Sequence, residues 1–528
     1  LAHCRELSII RSTLQNETLI ALLGPSADPV AAGWRLRELA ENESLDGADL
    51  ISQLSEQDDL VRRSDPAILG GLLHVVHGRV MRSAAESQGE SFAKVDPEHV
   101  RRLDKNLPEA TPNRHLLLHL LAMIQSDESL AVLMDRLEQS PPQKWMDAAQ
   151  AISPLMQNRQ WKIGLVFPRL LQCLQYPSLA APTLDLANFL VRERNVQPHP
   201  AADNLPMLNL LLGEVSGRLG RFEEDPHAFG DDVETVQATL GEAVSLAVSL
   251  CDAVSLIGDE SSIGKLNQTV ELKHRRVQCE AAGALARLKD DLGIKRLLEL
   301  TKDPAARLRA IAYADELGFG DQVDPELRSE IATAEAEMSL WLTQPQQMGV
   351  PPTSLEVIDS RRMLWPSFTD RVDVHLVRFE YSFGEQKYSN VGITGPVTFA
   401  FSTDVADLPI DDIYAIYAGW HAEHPEIFAI AAEHFNAVQQ RAMKDYVKHL
   451  ESLEYEEIKP ALLGFFLDEQ AGVFTAVRDS TDCVVVTDGL ETIDQAVAGR
   501  TRPLSPGDVF NLYKGRKMLR TFNPSSEM

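Results

Sequence analysis

Cysteine is scarce in this chain. There are five in 528 residues, Cys4, Cys173, Cys251, Cys279 and Cys483, far apart and without any CxxC spacing. That excludes a disulfide framework and a zinc module built on paired cysteines, and leaves small buried hydrophobes in a reducing compartment. Positive charge is also short: 50 Lys and Arg face 78 Asp and Glu, a net charge of −28 spread along the whole chain. Such a field repels phosphate backbones and anionic lipid heads, so neither nucleic acid nor a membrane is expected as a partner. No uninterrupted apolar run approaches membrane-spanning length. No basic segment followed by an apolar one opens the chain, so a cytoplasmic location is expected. GxSxG, a kinase signature and a calcium loop are all missing, and no cofactor is expected.

What is present is helical periodicity. Val277, Ala281, Ala284, Leu285 and Leu288 recur at helical spacing, and a polar break follows at Lys289-Asp290-Asp291. Leu297, Leu298 and Leu300 form a second stripe that stops at Asp303-Pro304, and the arrangement restarts with Leu308, Ala312 and Leu317. A helix pair this short cannot bury its stripe alone and must stack on neighbours. Further pairs are expected over 113–124 with 129–137, 145–156 with 166–174, 184–191 with 205–219, 233–257 with 263–270, and 306–317 with 327–342. Prolines gather at the joins, where a missing N–H is harmless. Four less regular helices are expected before them, over 8–23, 28–41, 45–63 and 66–84.

The stretch 273–318 resembles the HEAT-repeat family, including its bilin-lyase-like subgroup. The resemblance implies an α-solenoid whose second helices line a groove, with Lys295, Arg296 and Glu299 on a partner surface. A solvated, salt-bridged face is the plainer reading of those three residues. The fold class is therefore mainly α: an α-solenoid of HEAT-like helix pairs followed by a smaller C-terminal α+β domain. The expected division is an irregular helical region at 1–108, the solenoid at 109–345, a linker at 346–370 and the α+β domain at 371–528.

Three prolines in nine residues mark that linker, and composition changes beyond it. Val372, Val374 and Leu376 alternate at strand period, then the parity switches to Val377, Phe379, Tyr381 and Phe383, which predicts a bulge or bend. Val397–Phe401 is another strand candidate. Ile427, Ala431, Phe435, Val438, Ala442, Tyr446 and Leu450 outline one long helix. Strands over 462–467, 473–477 and 483–486 form a meander.

His421, His424 and His434, with Glu423, Glu426 and Glu433, are the densest group of metal-ligand types. Their spacing fits neither HExxH nor HxxEH, and an acidic helix start explains them equally. His115 and His119, like His74 and His77, are read as the edge of a helix interface. Residues 389–396 lack the Lys-Ser/Thr of a phosphate loop and are read as a hairpin loop. Lys514, Arg516, Lys517 and Arg520 are read as an exposed edge or tail. The functional expectation is a non-catalytic scaffold or adaptor that binds a protein or peptide. The alternative is an enzyme with a metal site in the C-terminal domain and the helices recruiting substrate. The resemblance also allows a lyase or chaperone for a bilin.

Overall fold

A computed structural model describes residues 19, 22–24, 29–42, 45–157, 161–230, 232–344, 346–384, 386–466, 468–500 and 502–523. Most of the helix expected over 8–23, and Cys4, lie outside them. The chain is mainly α with a C-terminal α+β region, and it divides into two compact units, 1–296 and 297–528.

In the first unit the main helices are α1 (Pro29–Glu41), α2 (Gly47–Ser55), α3 (Pro66–Glu86), α4 (Pro97–Asn106), α5 (His115–Ile124), α6 (Asp127–Gln139), α7 (Trp145–Ile152), α8 (Pro177–Arg194), α9 (Leu205–Glu224), α10 (Val233–Ile257), α11 (Ile263–Thr269) and α12 (Arg275–Arg287). Their starts follow from sequence. Asp65-Pro66 and Asp96-Pro97 each pair a capping carboxylate with a proline in the first turn. Ser126 and Asp232 cap α6 and α10 by accepting from Ser129 N–H and Thr235 N–H. Left-handed Gln125, Asn195 and Gly258 end α5, α8 and α10. Along the chain α3, α5, α7, α8, α10 and α12 pack each on the one before, while α4 packs on α6 and α9 on α11.

Carboxylates held by paired arginines fasten these helices. Asp104 of α4 is fully buried and takes two bonds from Arg114, at 2.6 and 2.9 Å, and one from Arg136 of α6 at 2.5 Å. Asp252 of α10 joins Arg192 of α8 to Arg287 of α12. That contact also bears on α10, a 25-residue helix long and apolar enough by composition to cross a membrane. The expectation concerned an uninterrupted apolar run, and Glu242 and Asp252 interrupt this helix. Its Ala243, Ala247, Leu250, Cys251 and Val254 are buried within the unit, where it packs on α8, α9 and α12, so a central core position accounts for its hydropathy.

The unit boundary falls inside α13 (Asp291–Leu300). This corrects the division expected near residue 345. The last helix pair, α14 (Pro304–Glu316) and α15 (Glu330–Leu342), belongs with the sheets, because Ala334, Met338 and Leu342 share a core with Val377, Phe379 and Tyr381. The expected linker is also corrected in part, since Ser354–Leu364 forms β1. Strand β1 pairs with β2 (Arg371–Phe383), and β2 with β3 (Gln386–Thr394), all antiparallel.

The parity switch in β2 has a physical cause different from the one expected. Pairing of β2 with β3 is unbroken, and the register shift lies in β1 between Val357 and Asp359. Val374 and Leu376 face one core, while Val377, Phe379 and Tyr381 face α15 on the other side. The buried face changes because different helices cover the two halves of the strand.

Helix α16 (Ile410–His421) follows, then β4 (Ile427–Ala431), α17 (Ala437–Ser452), β5 (Glu456–Phe466), β6 (Glu469–Arg478), β7 (Thr481–Thr487), β8 (Thr492–Ala496) and α18 (Pro506–Phe522). Strands β4 to β8 form an antiparallel sheet in chain order, which contains the expected meander. The long helix expected from Ile427 is instead β4 and then α17, because Asn436 and Gln439 make a capping box that starts the helix there. Phe399 contributes only an isolated bridge to Ile393 rather than a strand. Helix α17 covers one face of this sheet, and α16 and α18 fill a core against the other face and against β2 and β3.

Two outcomes follow. Asp104→Ala leaves two arginines without their buried partner and should lower stability by about 3–5 kcal/mol in urea unfolding. Lys162→Ala removes only an exposed pair with Asp127 and should change little. The second outcome concerns buried imidazoles. His199 donates from Nε2 to Asn188 Oδ1 (3.0 Å) and accepts Ala201 N–H at Nδ1 (3.0 Å). Burial pushes His199 down to about 4. Burial, then the charges of His119, His74 and His115, do the same to His77, also to about 4. Both bind protons more tightly in the unfolded chain, where histidine titrates near about 6.5. Stability should thus be complete above that pH and fall as pH drops toward 4. His77→Gln should flatten the fall in Tm between pH 6.5 and 5; an unchanged slope would refute that share.

Candidate functional site

Helices α16 and α18 cross backbone to backbone. A Cβ on Gly419 would overlap the Asn511 carbonyl oxygen, and one on Gly515 would overlap that of Ala415. Arg516 fixes the angle with two 2.7 Å bonds to Asp412. This contact brings the end of α16 beside the second half of α18. A cleft of 630 Å³ opens there, lined by Pro366, Ala422, Glu423, His424, Phe466, Glu469, Glu491, Lys517, Met518 and Arg520 among others. A second cleft of 490 Å³ shares Ala422, Glu423, His424 and Ile427 with it and adds Pro425 and Lys514.

The four bases expected on an exposed edge or tail are on α18, and three are paired. Arg516 holds Asp412, Arg520 holds Glu491 at 2.6 Å, and Lys517 holds Asp488 at 2.7 Å as well as Glu469. Asp488 also accepts from Tyr513 Oη at 2.9 Å and from the Leu490 and Glu491 N–H groups. Burial opposes the Asp488 charge, but bonds from Lys517, Glu491, Leu490 and Tyr513 outweigh it and hold the carboxyl well below the usual range.

Lys514 differs. Its side chain is only 7% exposed, its ammonium lies 5.0 Å from the Phe510 ring centroid, and no carboxylate among the described residues pairs with it. Burial pushes it down to about 8. By charge alone it groups with its neighbours, although Phe510, Lys514 and Met518 stand four apart on one helix face, and both flanking members are buried. That row was the legible signal.

The three candidate metal ligands do not converge. His421 ends α16, not a loop, and its Nδ1 accepts the Trp365 indole N–H at 3.1 Å. His424 lies in the following turn and accepts Glu426 N–H at 3.2 Å. His434 is exposed in a short turn after β4. Among the described residues no three His, Cys, Asp or Glu side chains gather as a metal site. His77 and His119 share a 3.1 Å contact between α3 and α5, while His115 contacts Gln150 at 3.0 Å, as an interface edge requires.

Lys295 and Glu299 are exposed on α13, and Arg296 bonds Glu271 at 3.0 Å. Residues 389–394 belong to β3 and correct the expected hairpin loop. Within them Asn390, fully buried, donates to Phe401 and Thr403 carbonyls and accepts Val405 N–H, which fixes the segment leading to α16. Cys173, Cys251, Cys279 and Cys483 are buried thiols outside any disulfide, as the composition implied.

Compared with family models, curated proteins and solved structures, the chain matches none.

The helix crossing gives a paired test. Gly515→Ala should destabilise the second unit by about 3 kcal/mol or more, since backbone must move. Gly507→Ala, in the first turn of the same helix with only Ser505 Oγ nearby, should be neutral or slightly stabilising. Equal unfolding midpoints for the two variants would contradict the close approach.

Proposed function

We propose that the chain is a partner-binding protein whose helix pairs form a HEAT-like α-solenoid and whose recognition is of a protein or peptide. The observation that supports this most is the succession of α3, α5, α7, α8, α10 and α12, in which each member packs on the one before it in that series. Such stacking makes one extended surface from many short helices, and recognition on it rests on a few anchoring side chains ringed by weaker polar contacts. Acid–arginine clamps, buried at Asp104 and partly exposed at Asp252, favour the same reading, because they fix the spacing between helices and leave the outward face to vary. The groove residues implied by the resemblance are Lys295, Arg296 and Glu299. Lys295 and Glu299 are exposed, one helical turn apart.

The test is affinity capture with the full chain and with a Lys295→Glu, Glu299→Lys double variant. A stoichiometric protein recovered by the wild type should fall at least about tenfold with the charge-reversed chain, at unchanged circular dichroism. Equal recovery by both would move the binding surface away from α13. No capture by either would remove the docking reading itself.

A further inference from the structure

Lysine is almost never buried without a partner, because the ammonium loses hydration that nothing replaces. Lys517, Arg516 and Arg520 obey that rule on α18, each held by one or two carboxylates. Lys514, less than one turn from Lys517, is buried along its stem yet has no carboxylate partner among the described residues, in a chain of net charge −28 where acids are plentiful. It is 7% exposed, rests on the Phe510 ring, and lines a cleft of 490 Å³ with Ala422, Glu423, His424, Pro425 and Ile427. A packing role alone would be filled by methionine, of similar length and without the desolvation penalty. The amine is kept, and it faces open space.

The geometry points to Lys514 as a nucleophilic amine that forms an imine with a small uncharged aldehyde or ketone entering this cleft. An uncharged carbonyl is favoured because the Glu423 carboxylate lines this cleft and would repel another, while Lys517 and Arg520 of the adjoining cleft are already held by Glu469 and Glu491. The Nζ lone pair bonds to the carbonyl carbon while the carbonyl π pair moves onto oxygen. A proton passes from nitrogen to that oxygen and gives a carbinolamine. The hydroxyl then takes a second proton and leaves as water, nitrogen forms the C=N bond, and the proton still on nitrogen is returned to the group that supplied the second one. One amine and one carbonyl become one imine and one water, with no oxidant or reductant. Glu423 and His424 are the other titratable groups lining this cleft and can carry those protons.

This site goes beyond the docking function and does not depend on it. Desolvated lysines are the usual imine formers, since burial leaves more free base at neutral pH. With burial holding Lys514 near about 8, roughly a tenth is free amine at pH 7, against under about a thousandth for an ordinary lysine.

The test treats the full chain with butanal and cyanoborohydride at pH 7, which reduces any imine to a stable secondary amine, and maps the modified lysines by mass spectrometry. Lys514 should be alkylated at least about tenfold faster than the exposed Lys162 and Lys448, and its rate should be half-maximal near pH 8. In Lys514→Arg the fast phase should vanish while Lys162 and Lys448 keep their rates. Because the first comparison is made within the wild-type chain, it stands even if the variant fails to fold. Alkylation of Lys514 at or below the rate of the exposed lysines would overturn the assignment.

Discussion

Two glycines let a pair of helices in the second unit meet without side chains between them. Gly419 on α16 and Gly515 on α18 each face a backbone carbonyl of the other helix, so close that a Cβ at either position would overlap it. The rest of that unit is arranged around this crossing. Tyr414 and Tyr417 on α16 reach the Val374 and Val391 carbonyls of the first sheet with their hydroxyls. Val509, Phe510 and Tyr513 on α18 share a core with Val473, Val484 and Val486 of the second sheet. Each sheet therefore has one face closed by the same helix pair. The clefts exist because α16 stops at His421, just past the crossing, while the last turns of α18 run on beyond it.

The first unit solves a different problem, that of holding many short helices in sequence. Apolar stripes supply most of the driving force but are tolerant of sliding. Asp104 and Asp252 remove that tolerance. Each carboxylate is reached by arginines from two other segments, and planar guanidinium forks satisfy it only in a narrow range of positions. Replacing such a triad wholesale by apolar residues is often harmless to stability, whereas removing one member is not. The clamps are best understood as fixing register, with stability as a by-product. Arg307 repeats the device in the second unit, bonding the Thr301 and Ala332 carbonyls and Glu335.

Helices were legible in the sequence because two local signals agree at most of them: an apolar row near period 3.6 and a cap that starts it, as at Asp65-Pro66, Asp232 and Asp303-Pro304. The motif pair is a good instance, for Val277, Ala281, Ala284 and Leu285 are all buried as the stripe requires. Errors arose where spacing alone decided. Ile427, Ala431 and Phe435 stand four apart and imitate a helical stripe, yet Phe428 stacks on Phe465 across the β4–β5 pair and the helix begins only at its Asn436 cap. Strand β1 was hidden because most of its residues are only partly buried and its polar positions, Glu356, Asp359, Arg361 and Arg362, interrupt any alternation. The unit boundary was hidden for a related reason. Whether α15 belongs to a helix stack or to a sheet is decided by what Met338 and Leu342 touch, and no local pattern encodes a distant partner.

The site shows how far charge type can be separated from charge role. Lys514 and Lys517 are three residues apart on one helix and indistinguishable by composition. Lys517 is enclosed by Glu469, Asp488 and the Tyr513 ring, and hydrogen bonds from it outweigh burial and raise its affinity for protons. Lys514 meets only an aromatic ring and open cleft, so burial acts on it without compensation and weakens that affinity. The first arrangement makes a fastening that cannot easily lose its charge, and the second makes an amine that gives its proton up readily. The difference comes from the α16–α18 crossing. The angle set by Gly419, Gly515 and the Arg516–Asp412 pair turns one face of α18 toward the acids of β6 and the β7–β8 hairpin, and the adjoining face toward the space beyond the end of α16. A backbone contact with no charge of its own thus determines which of two neighbouring lysines is structural and which is left available for chemistry.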